Sequence, residues 1–199
     1  MKRGPFRNKK DIVLASKSPR RQELLSLLGI CFYVHPSKFK EPKPFNISPS
    51  DYALLLAKKK AEEVAHTFPQ AAVLGADTIV VIGDKILGKP KNQSQALEYL
   101  TLLRGKIHTV ITAVALIEKN TAHTFFVQSK VKIANFSSSV LKNYIATQEP
   151  LDKAGAYAVQ GIGGFLVEEI QGSYTNVIGL PLTETTKLLI EKQIIVLNQ

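Results

Sequence analysis

Cysteine is almost missing: Cys31 is the only one in 199 residues. That excludes an internal disulfide and points to a reducing compartment. Its neighbours Ile30 and Phe32 predict a buried thiol with no chemistry of its own. No apolar run reaches the roughly 18 residues of a membrane span, so no membrane partner is expected. The basic start, MKRGPFRNKK, is followed by only a few apolar-leaning residues before Ser16, too short a run for a secretion signal. The expectation is a cytoplasmic protein with a frayed basic tail over residues 1–10. Clustered histidines are absent too. His35, His66, His108 and His123 lie far apart, with no metal-ligand spacing. Neither an internal repeat nor a linker interrupts the chain, so residues 11–199 are expected to form a single domain of two lobes.

Acidic residues are scarce: 16 against 26 Lys and Arg, for a net charge of +10. A partner rich in negative charge follows. Beyond residues 2–10 and 58–60 the positive charge is scattered, and no aromatic-interleaved basic motif of the RNA-binding kind occurs. Nucleotide phosphates suit this pattern as well as a polymer does, and nucleic acid is not the expected partner. The hydrophobic share of 45% is ordinary for a globular chain of this length, which buries roughly 70% of its unfolded surface.

What is present is concentrated first in residues 11–25, DIVLASKSPRRQELL. The spacing predicts a short strand, a small polar turn at 16–18, and a helix carrying Leu24, Leu25, Leu27 and Leu28. Ser18 fits the N-cap and Pro19 the first helical position, where a missing N–H costs nothing. A helix start prefers acids, yet Arg20 and Arg21 stand in this first turn. An anion in the turn explains them. Free amides, two guanidiniums and the hydroxyls of Ser16 and Ser18 would converge on a phosphate, each charge-assisted bond contributing roughly 1.5–3 kcal/mol. The alternative is a solvated basic helix start.

A second strand is expected at 31–34, then a long irregular segment over 35–47 whose sole acid is Glu41. Ser48, Pro49 and Asp51 open a helix to about Thr67, with Lys60 the member of the KKK run best placed to turn inward. Residues 71–81, AAVLGADTIVV, read as a buried strand interrupted by Asp77 and Thr78. An isolated carboxylate in so apolar a run is costly unless paired. It is either a strand-end cap or a general base or metal ligand held rigidly at a sheet edge. A short strand at 85–87, a loop carrying Lys89, a helix over 93–103, two long strands at 107–118 and 123–134 around a turn at 119–121, and a helix from Ser137 to about Thr147 follow. Residues 149–164, EPLDKAGAYAVQGIGG, are too glycine-rich to be regular. GIGG is no dinucleotide fingerprint, because no strand precedes it in a βαβ unit. Gln160 there offers a donor and an acceptor, as reading a base edge requires; the alternative is a loop hydrogen bond. Strands at 165–170 and 174–178 and a helix from Pro181 complete the reading.

Taken together, ASKSPRRQELL at 15–25, LGADTIV at 74–80, LGKP at 87–90 and EPLDKAGAYAVQGIGG at 149–164 resemble the Maf family of nucleoside triphosphate pyrophosphatases. The resemblance spans about residues 11–192. It implies an α/β fold with a mixed twisted sheet, flanking helices and two lobes around a central cleft, and a homodimer. It also implies hydrolysis between the α and β phosphates of a nucleoside triphosphate, giving monophosphate and pyrophosphate, with a divalent metal cation, Mg or Mn. Asp77 matches the family's catalytic acid. Ser16, Arg21, Lys60 and Lys89 match its phosphate-contacting positions, and Glu41, with Asp77, the acids that serve the metal. Arg20, Thr78 and Gln160 resemble the specificity positions of the subgroup acting on dTTP and UTP. Lys40 departs from the pattern, standing where relatives often carry a second acid before Glu41. Two rival readings stand beside this one: the same hydrolysis with 7-methyl-GTP or another modified nucleotide, and a non-catalytic protein that binds nucleic acid or a cell-division partner.

Overall fold

The chain alternates strands and helices, and its sheet mixes parallel with antiparallel pairs, as an α/β reading requires. A computed structural model describes residues 4–119 and 121–198; Asn120, within the expected turn at 119–121, lies outside them, as do residues 1–3 of the basic start. The elements are β1 (Phe6–Asn8), β2 (Ile12–Leu14), α1 (Pro19–Ser26), β3 (Tyr33–Val34), α2 (Pro49–Ala65), β4 (Ala72–Ile82), β5 (Lys85–Leu87), α3 (Gln93–Leu103), β6 (Ile107–Glu118), β7 (Thr121–Ile133), α4 (Ser138–Ala146), β8 (Val167–Gln171), α5 (Tyr174–Ile178), α6 (Leu182–Glu191) and β9 (Ile195–Leu197). The main sheet runs β3-β2-β4-β6-β7-β8, with β5 paired to β4. β2 is parallel to both β3 and β4, whereas β5 meets β4, and β8 meets β7, antiparallel. This is the expected mixed sheet with flanking helices.

The chain divides into two compact units. The first holds the described residues up to Asp77, Thr112–Val127, and those from Gly179 onward; the second holds Thr78–Ile111 and Gln128–Ile178. In the first unit, β2 is apolar on both faces, and Ile12, Leu14, Leu25, Leu56 and Leu74 are fully buried. Helix α2 lies close against β4 because the facing residues are small. A Cβ added to Gly75 would come within 2.6 Å of the Ala57 carbonyl oxygen and 2.9 Å of the Ala61 Cβ. That close approach sets where α2 sits two residues before Asp77. In the second unit, α3 and α4 pack Leu100, Leu103, Leu141 and Tyr144 with Val131, Ile133 and Leu166.

Four expectations need correction. Phe6–Asn8 of the basic start are not frayed: β1 pairs antiparallel with β9, and Asn198 donates to the carbonyls of Gly4 and Phe6. Cys31 is exposed rather than buried. It precedes an exposed two-residue edge strand, and its backbone exchanges both hydrogen bonds with the Asn8 side chain. Residues 174–178 are helix rather than strand. Ser173 Oγ accepts from the Asn176 amide, and the buried Asn176 side chain donates to the Val110 carbonyl and Ser129 Oγ, a local cap and a polar anchor that override strand propensity. The strand expected at 165–170 starts later, at Val167, because residues Ile162–Leu166 wind into a 3-10 turn.

Candidate active site

Strand β4 carries Asp77 into the first unit's interior. The residues before it, from Ala72 to Ala76, are buried, and Asp77 itself is 6% exposed. Such a carboxylate needs a partner, and α2 supplies one. Lys60 Nζ donates to Asp77 Oδ1 at 2.5 Å and lies 2.6 Å from Glu41 Oε1. The lysine side chain is only 15% exposed, so it has turned inward while Lys58 and Lys59 remain on the wet face. One ammonium thus ties the strand acid to the acid of the 35–47 loop.

That loop is not left loose. Glu63 Oε2 on α2 accepts from the amides of Lys38 at 2.9 Å and Phe39 at 3.0 Å, and from the Ser37 hydroxyl. Tyr52 Oη donates to the Pro42 carbonyl at 2.7 Å. Glu41 is therefore bracketed by two residues, Glu63 and Tyr52, of the helix that also carries Lys60. Neither Glu63 nor Tyr52 stands out in the sequence as a site residue; their spacing on α2, eleven residues apart, is a signal only once the loop is known to return to that helix.

The turn after β2 brings the cationic side. Arg21 Nη1 donates to Ser16 Oγ at 3.2 Å, Arg21 Nε donates to the Gly179 carbonyl at 2.8 Å, and Ser16 Oγ also accepts from the Ser18 amide. Ser18 occupies the N-cap with Pro19 next, as expected, but its own hydroxyl makes no capping bond; Ser16 takes the amide instead. Ser16 is buried, and Arg20 is half-buried beside Arg21.

The electrostatics follow from burial. Loss of water pushes the Asp77 carboxyl up; Lys60 and Arg21 pull it down without cancelling that effect, and Glu41 adds to the rise. Burial likewise lowers the Arg21 guanidinium, against the pull of Asp77. The result is a rigid, partly dry carboxylate next to two cations, the combination that suits proton handling beside a phosphate.

Of the sequence-predicted residues, Ser16, Arg20, Arg21, Glu41, Lys60 and Asp77 thus share the first unit, and Asp77, Lys60 and Glu41 touch directly through Lys60. Thr78, Lys89 and Gln160 belong to the second unit. Within it, the Gly155 amide donates to the Gly88 carbonyl at 3.1 Å, joining the loop of Lys89 to the segment that leads to Gln160. Lys89 and Gln160 are exposed, and Thr78 is half-buried at the point where β4 enters this unit.

Known proteins resemble this chain over most of its length. The Maf-like protein family pattern matches residues 11–192. A dTTP/UTP pyrophosphatase of Bacillus pumilus is 43% identical over 178 residues, covering 89% of this chain and 94% of its own. One from Syntrophus aciditrophicus is 46% identical over 180 residues, covering 89% and 88%, and one from Bacillus cereus 46% over 182 residues, covering 92% and 90%. A solved nucleoside-triphosphatase / dITP/XTP pyrophosphatase from Mycobacterium abscessus shows a slight likeness, with TM-score 0.41 and 16% identity over 63% of this chain and 75% of its own.

Proposed function

The chain belongs to the Maf-like protein family, and on that premise we propose that it is a nucleoside triphosphate pyrophosphatase hydrolysing dTTP and UTP to the monophosphate and pyrophosphate. The observation that carries this reading is the buried Asp77 carboxylate bound to Lys60, with Arg21 and Ser16 in the same unit.

Asp77, ionised, orients a water and accepts its proton as the oxygen attacks the α phosphorus in line. The bond from that phosphorus to the bridging oxygen breaks, and pyrophosphate leaves. Arg21, Lys60 and Lys89, with the Ser16 hydroxyl, neutralise and hold the phosphates, so charge that develops on the leaving group meets preorganised donors. Arg20, Thr78 and Gln160 read the base. Gln160 presents a donor and an acceptor to the pyrimidine edge, and a site left with unpaired polar groups by the wrong base rejects it strongly.

A divalent cation fits this donor set. Asp77 and Glu41 offer two hard carboxylate oxygens drawn to one positive centre, Lys60, and Mg²⁺ is commonly held by one or two carboxylates together with substrate phosphates and water. Among the described residues no group of three or more His, Cys, Asp or Glu forms an all-protein cage, so the substrate would complete the ligand set. When bound, Mg²⁺ or Mn²⁺ supplies charge neutralisation at the phosphates. We place the protein in the cytoplasm as a homodimer acting on free nucleotides rather than nucleic acid; the lone cysteine supports a reducing compartment. No helix among the described residues is long and apolar enough to cross a membrane.

A panel of nucleoside triphosphates, with pyrophosphate release followed in Mg²⁺ or Mn²⁺, tests the reading. dTTP and UTP are expected to lead. A purine optimum such as 7-methyl-GTP refutes the substrate assignment, and the absence of turnover on every nucleotide refutes the enzyme.

A further inference from the structure

Gln160 sits on a short bridge of chain between two anchors in the second unit. On its N-terminal side, the Tyr157 hydroxyl and His108 Nε2, both buried, hydrogen-bond at 2.7 Å. The Gly155 amide is tied to Gly88 as well. On its C-terminal side the anchor is Glu149. Its Oε1 accepts from the Gly163 amide at 2.9 Å and the Tyr144 hydroxyl at 2.9 Å, and its Oε2 accepts from the Ile162 amide at 2.8 Å. Three donors converge on one carboxylate, and two of them are backbone amides two and three residues beyond Gln160.

The glycines of the segment are shaped to this contact. Gly161 has φ +125°, a left-handed conformation, and a Cβ there would lie 2.8 Å from Glu149 Oε2. A Cβ on Gly163 would lie 2.2 Å from the Tyr144 hydroxyl oxygen. The chain can reach Glu149 only because both positions lack side chains. Burial alone would raise the Glu149 carboxyl, but the amides of Gly163 and Ile162, the Tyr144 hydroxyl and Lys153 outweigh it and hold it below the usual carboxylate range. The clamp is therefore ionised and closed at neutral pH.

We propose that Glu149 is a positioning residue for base recognition: by fixing the backbone at 162–163 it presents the Gln160 amide to the base in one orientation. This inference rests on the reading of Gln160 as the residue that meets the base edge. In this role Glu149 acts through the backbone it holds and is not a catalytic residue. Its contribution is preorganisation, since a recognition group held in its bound geometry loses less freedom on binding and tolerates less misfit.

UTP and CTP differ at the base edge that an amide reads, so the ratio of kcat/KM for UTP over CTP is the readout. A loss of folded protein lowers both values equally and leaves the ratio unmoved. Wild type, E149A, E149Q and Q160A are compared. E149A is expected to lower the ratio by roughly tenfold or more toward that of Q160A, because a small misplacement of a recognition group has effects of this order. E149Q keeps an oxygen for Tyr144 and Gly163 but turns an NH₂ toward the Ile162 amide, so it is expected to fall between. An E149A enzyme with the wild-type ratio overturns the inference, whatever its total rate. If E149A does not fold, the E149Q ratio decides, and a wild-type value there overturns it equally. Failure of the underlying reading looks different: Q160A itself then keeps the wild-type ratio.

Discussion

Lys60 reaches from helix α2 to Asp77 on strand β4, seventeen residues away, and donates to its carboxylate at 2.5 Å. The same ammonium meets Glu41 at 2.6 Å. Removing it leaves a buried carboxylate without its nearest partner, a change that costs a protein about 3 kcal/mol or more. Lys60→Met is therefore expected to lower the thermal midpoint measurably and to reduce kcat/KM on UTP by on the order of 10²–10³, the loss typical of one preorganised charge donor. Calorimetry and steady-state kinetics on the same preparation check both.

Gly75 sets the distance across which that bond forms. A Cβ would lie 2.6 Å from the Ala57 carbonyl oxygen, a backbone atom that cannot swing aside. Overpacking of this kind costs roughly 1–3 kcal/mol. Gly75→Ala is expected to shift α2 away from β4, lowering both the thermal midpoint and the activity. Gly83→Ala is the comparison for the local effect, since nothing lies within 4 Å of its added Cβ; its φ of +53° gives it a strain penalty without displacing α2.

Glu63 holds the loop that presents Glu41. Its carboxylate takes two backbone amides and the Ser37 hydroxyl. Glu63→Ala is expected to speed proteolytic cleavage within residues 36–47 and to reduce kcat/KM roughly tenfold, the lower end of the effect of losing a group that orients a site residue. Limited proteolysis followed by mass spectrometry reads the first effect independently of turnover.

The sequence made much of this legible, and the physics explains where it stopped. Asp77 stands out because a lone charge in AAVLGADTIVV is costly unless paired or capping a strand end, and Lys60 because helical spacing from Leu56 and Val64 turns it inward. Glu41 was harder: a single acid among lysines on a proline-rich loop looks solvated, and only the return of that loop to Glu63 and Tyr52 gives it a place. Helix α5 is not legible locally: Val177 and Ile178 favour strands, while what decides the segment is Asn176 bonding to Val110 and Ser129, some 66 and 47 residues away. The exposure of Cys31 is not legible either, because apolar neighbours suggest a core but do not reveal an edge strand.

His108 makes stability depend on pH. Burial lowers its pKa from 6.5 to about 4. A group depressed in the folded state contributes stability that is fully present above the unfolded value of 6.5 and is lost as pH falls toward 4, because the unfolded chain takes up the proton first. The difference corresponds to roughly 3 kcal/mol over that window. Urea midpoints measured at pH 7, 5.5 and 4.5 are expected to fall more steeply for the wild type than for His108→Gln, which carries no proton to take up.

The most direct test of the whole account is Asp77→Asn assayed for pyrophosphate release from UTP beside the wild type. Asparagine keeps the shape and an oxygen for Lys60 but cannot accept the proton of the attacking water. Loss of roughly 10²–10⁴ in rate, with the fold retained, is expected if the carboxylate acts as the base. A folded Asp77→Asn protein that releases pyrophosphate as fast as the wild type contradicts the account.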